Sequence, residues 1–183
     1  MIDMTALLLS DTYKQTHDRM YPKGLTKLVS YWIPRKSMLM NTDKIIFFGL
    51  QAFIKEYLID YFEKNFFGKP KKDIIEEYTK YMNVQIGSEN YDLDKIEKLY
   101  DLGYLPLEIR AIPEGTQVNM GVPCIELTNT HSDFAFITQW IECILQVELW
   151  KICGHATIGH MYREVANEYY KKTVDDDIDP AMA

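Results

Sequence analysis

Between Pro106 and Asn129 the chain changes character, and that change constrains the fold more than any other feature. Leu107-Glu-Ile-Arg-Ala-Ile112 alternates apolar with polar residues, and Pro113-Glu-Gly115 reads as a turn. Thr116–Asn119 is a second short strand, Met120-Gly-Val-Pro123 another turn, and Cys124–Asn129 alternates again. Alternation with period two puts one face of each strand on a core and the other in water. Three strands with tight turns between them predict a small antiparallel β-module. Upstream, Lys27–Trp32 is a β-rich run that Pro34 stops.

The flanks follow a different period. From Ile45 to Phe62 the pattern is helical: Leu50, Phe53, Ile54, Tyr57, Leu58 and Tyr61 fall on one stripe. Gly68 and Pro70 end it. Lys72–Met82 and Asp92–Leu102 predict two shorter helices. Thr130-x-x-Asp133 reads as a weak capping box opening a long helix through Ile137, Ile141, Leu145 and Trp150, with Gly154 as a break. A further helix spans about Thr157 to Lys172. The fold class is therefore α+β: a small antiparallel β-module packed with the N-terminal strands and covered by helices 45–62 and 133–150.

At 183 residues the chain has room for one domain, read as 1–173, followed by an acidic linker at 174–183. The formal charge is −7, and Asp175, Asp176, Asp177 and Asp179 lie in that linker. An acidic chain without a basic tract excludes duplex nucleic acid as a partner. The cysteines (Cys124, Cys143, Cys153) are odd in number and form no C-x-x-C, so neither a disulfide framework nor a zinc knuckle is signalled, and they are expected in the core. A reducing cytoplasm fits. Met1-Ile-Asp-Met-Thr5 lacks the cations of a signal peptide, and no apolar run is long enough to span a membrane.

No Walker loop, G-x-G-x-x-G, H-E-x-x-H or G-x-S-x-G is present. His155 and His160 are five apart and face different sides of a helix, so no metal site is expected from them. Two segments concentrate chemistry. Ser10-Asp11-Thr12-Tyr13-Lys14-Gln15-Thr16-His17 gathers a carboxylate, a phenol, a cation and an imidazole. Its plain reading is a helical first turn capped by Ser10 or Asp11. Its functional reading has Asp11 accepting N–H bonds from a carboxamide and Tyr13 offering a flat face to a heteroaromatic ring. In Ser30-Tyr31-Trp32-Ile33-Pro34-Arg35-Lys36, alternation puts Tyr31, Ile33 and Arg35 on one face. A guanidinium at a strand end is either an ordinary surface cation or a bidentate grip on phosphate.

These segments, with Phe47-Phe-Gly49-Leu-Gln51, Leu105-Pro-Leu-Glu-Ile-Arg-Ala-Ile-Pro-Glu-Gly115, Gly121-Val-Pro…Asn129-Thr130 and Thr138-Gln-Trp140-Ile-Glu142-x-Ile-Leu145, occur in the order found in the nicotinamide phosphoribosyltransferase family. The chain resembles the N-terminal portion of that family over essentially its whole length. The short Ser37–Asp43 stretch and Trp32, where Phe is more usual, look bacterial or phage-like.

The resemblance implies the N-terminal domain of a type II phosphoribosyltransferase, without the α/β barrel that supplies most of the phosphoribosyl site. It implies transfer of the 5-phosphoribosyl group of phosphoribosyl pyrophosphate to nicotinamide, with Mg2+ on the pyrophosphate. It also implies a homodimer whose active sites lie at the subunit interface. Tyr13 would stack on the nicotinamide ring, Asp11 would lie near the carboxamide, and Arg35 would reach phosphate oxygens. The chain alone is expected to be inactive and to expose apolar surface. Two alternatives stand beside this: a stand-alone module that binds and modulates a full-length enzyme, and a preference for nicotinate over nicotinamide.

Overall fold

A computed structural model describes residues 4–38, 42–88 and 90–174. The acidic linker, apart from Val174, lies outside the described residues. The structure confirms a mixed α and β architecture with small antiparallel sheets, and revises how the strands pair.

Strands β1 (Val29–Trp32), β5 (Ile125–Asn129) and β3 (Leu107–Ala111) form one antiparallel sheet in the order β1-β5-β3. β2 (Lys44–Ile46) and β4 (Gln117–Asn119) form a separate antiparallel pair. The three downstream strands are therefore not a meander. Both edges of β5 are occupied, by β1 and β3, so β4 pairs elsewhere. It finds β2, with Ile45 directly opposite Val118 and both buried.

This corrects the helix expected from Ile45. Ile45 and Ile46 are strand, and the helix α1 begins at Leu50 after Gly49. Gly49 sits at φ 97°, and a Cβ there would lie 2.6 Å from the Ile152 Cγ2 atom. Only glycine permits both the left-handed backbone and that close approach. α1 (Leu50–Phe53) runs on as π-helical turns over Ile54–Tyr61 and Glu63–Phe67. α2 (Lys71–Gln85) and α3 (Asp94–Leu102) lie where their apolar stripes predict.

The largest departure is at the C-terminal side. Ser132–Phe134 is a 3-10 turn capped by the His131 imidazole, whose Nδ1 accepts from the Asp133 N–H at 3.3 Å. The Thr130 capping box therefore does not open the long helix. α4 starts at Ile137 and runs unbroken for 37 residues to Thr173, through Gly154. Glycine inside a helix costs only about 1 kcal/mol, and packing of the preceding turns outweighs it. Ile137, Trp140, Ile141, Leu145, Leu149 and Cys153 form the buried stripe of α4, against both sheets. α4 also satisfies the backbone beside β2: Thr157 Oγ1 accepts from the Ile46 N–H at 2.9 Å, and Cys153 Sγ contacts the Phe48 N–H at 3.4 Å. Beyond Thr157 the helix is mostly exposed, and Tyr162, Val165 and Tyr169 face solvent.

Candidate functional site

The segment that concentrates chemistry folds as a nine-residue 3-10 helix, Thr12–Met20, with Asp11 in an extended conformation just before it. Asp11 occupies the N-cap position but makes no side-chain cap bond. Its carboxylate instead accepts from the Cys143 thiol, with Oδ2 at 3.2 Å from Sγ, and its backbone N–H points at the same sulfur at 3.3 Å. The capped-turn reading of Asp11 therefore fails, because its carboxylate points toward a residue of α4.

Five further hydrogen bonds fix the 3-10 helix and the residue that follows it. The Trp140 indole N–H donates to the Lys14 carbonyl at 2.8 Å. Lys14 Nζ pairs with Glu142 at 2.6 Å. The Tyr21 hydroxyl donates to the Gln139 side chain at 2.7 Å. Buried Gln15 bridges the Leu7 carbonyl and the Tyr78 hydroxyl at 3.0 and 2.8 Å. Beneath the segment, buried Lys95 pairs with Asp18 at 2.6 Å and lies about 5 Å from the Phe136 and Trp140 rings. Burial pulls the Lys95 ammonium below its usual range, opposed by Asp18. Such a network, largely satisfied inside the protein, holds one conformation of the segment.

What this scaffold presents outward is Tyr13. Its side chain is 56% exposed, while Lys14 and Gln15 beside it are buried. The His17 ring packs against it at 5.0 Å and the Lys14 ammonium lies 5.6 Å from its centroid. The Lys14 charge pulls the phenol down, but desolvation and the Asp11 carboxylate outweigh it and the net direction is upward. A tyrosine held this way is a displayed platform, not core.

Arg35 is exposed just beyond β1 and lines a groove of about 270 Å3 with Tyr31, Thr138, Glu142 and Gln146. Glu142 thus joins the two predicted segments: it pairs with Lys14 beside Tyr13 and forms a wall of the Arg35 groove. Asp11 meets α4 at Cys143, Lys14 beside Tyr13 meets it at Glu142, and Arg35 lines the groove that Glu142 also walls. Glu142 and Cys143 are the residues that sequence reasoning missed as neighbours of the site. Cys124 and Cys153 are buried as expected, but Cys143 is only partly so. Burial raises its thiol, with Asp11 adding both opposing and reinforcing contributions. The only signal for either residue was position, inside the Thr138–Leu145 block.

Comparison with known proteins now bears on these residues. The family model described as the N-terminal domain of nicotinamide phosphoribosyltransferase matches residues 5–109, more than half of the chain. The chain belongs to the nicotinamide phosphoribosyltransferase family. It is 41% identical over 168 residues to a protein named nicotinamide phosphoribosyltransferase from Acinetobacter baylyi, covering 89% of this chain and 33% of that one. A protein of the same name from Xanthomonas campestris is 25% identical over 173 residues, covering 93% and 34%. The chain spans about a third of the length of these curated relatives. The crystal structure of human nicotinic acid phosphoribosyltransferase shares the fold, with a TM-score of 0.51 at 16% identity over 81% of this chain and 26% of that one. The family match contains Asp11, Tyr13 and Arg35; Glu142 and Cys143 lie beyond the matched region.

Proposed function

We propose that this chain is the N-terminal part of an enzyme that transfers the 5-phosphoribosyl group of phosphoribosyl pyrophosphate to the ring nitrogen of nicotinamide. The products are nicotinamide mononucleotide and pyrophosphate. One observation supports the reading: Tyr13 is exposed beside Lys14, whose partner Glu142 also walls the groove that Arg35 lines.

The roles follow from chemistry. Cleavage at the anomeric carbon builds cationic character on the ribose and negative charge on the departing pyrophosphate, so catalysis is positioning plus electrostatic stabilisation. Tyr13 stacks on the pyridine and fixes its plane. Asp11, held by Cys143, accepts from the carboxamide N–H. Arg35 grips phosphate oxygens of the sugar donor. None of the three moves a proton; all three bind and orient.

Among the described residues no three His, Cys, Asp or Glu side chains converge as metal ligands. The metal would arrive on the pyrophosphate of the donor.

A flat ring at 56% exposure is not a pocket, since small-molecule sites bury most of their ligand. The remaining walls therefore come from a barrel domain and from a second subunit, in a homodimer with interfacial active sites. The exposed stripe on α4 (Val147, Trp150, Ile158, Tyr162, Val165 and Tyr169) is apolar surface available for such contacts. Residues 1–173 are read as the domain and the acidic stretch 174–183 as a linker. No helix among the described residues is long and apolar enough to cross a membrane, and a cytoplasmic location fits the chain.

The test is direct. The chain alone should form no nicotinamide mononucleotide from nicotinamide and phosphoribosyl pyrophosphate, whereas the complete enzyme that includes it should. Turnover by the purified 183-residue chain would contradict the division of labour, and a complete enzyme unable to use nicotinamide would contradict the function.

A further inference from the structure

The Tyr13 segment is wound in an uncommon way. Thr12–Met20 is a 3-10 helix of nine residues. Both its ends close on bonds three residues back: the Lys14 N–H donates to the Asp11 carbonyl at 2.9 Å, and the Tyr21 N–H to the Asp18 carbonyl at 3.2 Å. Runs of this winding beyond three or four residues are rare, because the backbone bonds are poorer than in an α-helix and side chains three apart eclipse. A stretch of this length needs outside contacts that favour its winding.

Those contacts converge on the carbonyls around Tyr13. The Tyr13 carbonyl accepts from the Thr16 hydroxyl at 3.0 Å, the Lys14 carbonyl from the Trp140 indole at 2.8 Å, and the Gln15 carbonyl from the Lys95 ammonium at 3.4 Å. Lys95 also holds the Asp18 carboxylate at 2.6 Å. Gln15 and Asp18 are three residues apart, so they line up on a 3-10 helix but sit about 60° apart around an α-helix. A single ammonium therefore grips both best in the 3-10 winding. Lys95 is itself held in place. It belongs to α3, its side chain is only 9% exposed, and its ammonium lies 5.2 and 5.1 Å from the Phe136 and Trp140 rings.

We propose that Lys95 is a positioning residue: by gripping the Gln15 carbonyl and the Asp18 carboxylate together, it keeps the segment in its 3-10 winding and so sets the direction in which the Tyr13 ring is presented. The inference rests on the function proposed above, which gives that ring a ligand, and adds to it a residue that touches no ligand. The consequence of losing the clamp can be sized. Rewinding to an α-helix takes about 20° of turn and about 0.5 Å of rise from each residue. Helical winding is cooperative, so a change at Gln15–Asp18 spreads along the segment. The Gln15 side chain stays bonded to the Leu7 carbonyl and the Tyr78 hydroxyl. Measured from Gln15, Tyr13 would swing by about 40° and shift by about 1 Å. Displacements of that size spoil the alignment of a bound reactant.

The test uses the complete enzyme with Lys95→Met, which keeps an unbranched stem beside the two rings and removes the ammonium. KM is the quantity read, because it does not depend on the folded fraction. KM for nicotinamide should rise about three- to tenfold, the worth of one aromatic stacking contact, while KM for phosphoribosyl pyrophosphate stays unmoved. A crystal structure of the same variant should show Thr12–Met20 no longer wound as a 3-10 helix. Lys95→Met also strands the Asp18 carboxylate, so Asp18→Asn/Lys95→Met is measured beside it and carries the test if the single variant does not fold. The double variant should recover melting temperature without recovering the nicotinamide KM. A residue needed only for stability would lower the melting temperature and the active fraction and leave both KM values unchanged, and that result overturns the inference. So does an intact 3-10 helix in the crystal structure, or a double variant whose nicotinamide KM returns to the wild-type value. If the wild-type complete enzyme forms no nicotinamide mononucleotide, the proposed function fails, and the crystal structures alone then decide whether Lys95 holds the winding.

Discussion

Replacing Trp140 by Phe should weaken the chain far more than an aromatic exchange normally does. Trp140 is 3% exposed and performs three tasks at once. Its indole N–H satisfies the Lys14 carbonyl, its ring packs on Phe136 at 4.6 Å, and Lys95 lies 5.1 Å from its face. Phe retains most of the ring contact but leaves the Lys14 carbonyl without its donor, which costs about 1–3 kcal/mol. Losing part of the bicyclic ring removes about 1 kcal/mol of burial and packing. The total is about 2–4 kcal/mol, and Trp140→Ala should cost at least the roughly 3–5 kcal/mol typical of a buried large-to-small change. Urea unfolding followed by circular dichroism at 222 nm measures this, with Trp150→Phe as the control. Trp150 is half-exposed, and its replacement should stay within about 0.5 kcal/mol. A Trp140→Phe loss below about 1 kcal/mol with an unchanged m-value would refute the claim that the indole N–H anchors the 3-10 helix.

Further outcomes can be checked on the same material. Gly49→Ala should destabilise by about 2–4 kcal/mol, from left-handed strain and the collision with Ile152. By contrast, Gly154→Ala, a helical glycine with no atom near its missing Cβ, should stabilise by about 0.5–1 kcal/mol in a thermal melt. Burial raises the Tyr78 phenol strongly and the Tyr21 phenol to about 12, so the folded chain keeps protons that the unfolded chain releases near pH 10. Their stabilisation is complete below about pH 10 and is lost as pH climbs through the folded values, so urea midpoints should fall there and Tyr78→Phe should flatten the fall. Lys95, lowered by burial, works the other way at pH values below its unfolded one, and a Lys95→Met series isolates it. Cys143→Thr should preserve nicotinamide use in the complete enzyme while the isosteric Cys143→Val raises its KM, because only the former keeps a donor for Asp11.

Much of the fold was legible because it is local. The stripes of α2 and α3 and the alternation of β3 and β5 each lie within a few residues, and the structure places all four within two or three residues of expectation. What local reading could not see was pairing. β2 is three residues long and lies inside an apolar run that also fits a helix, and only its partner, more than seventy residues on, makes it a strand. Gly154 looked like a break because its cost is visible in the sequence while the packing that overrides it is not. The site shows the same division. Tyr13, Asp11 and Arg35 stood out as residue types in short motifs. Their arrangement depends on Glu142 and Cys143, whose contacts to Lys14 and Asp11 span 128 and 132 residues. Capping propensity favoured Asp11 as an ordinary N-cap, and a thiol from α4 outcompeted that local role.

The central claim is that Tyr13 is displayed for a ligand and not kept for the fold. Steady-state kinetics of Tyr13→Ala in the complete enzyme, alongside its melting temperature, puts that claim to the test. The account predicts kcat/KM for nicotinamide lowered by roughly tenfold or more, from loss of a stacking face worth about 1–3 kcal/mol with its buried area, at a melting temperature within a degree or two of wild type. An unchanged kcat/KM, or a loss of activity that merely tracks unfolding, would contradict it.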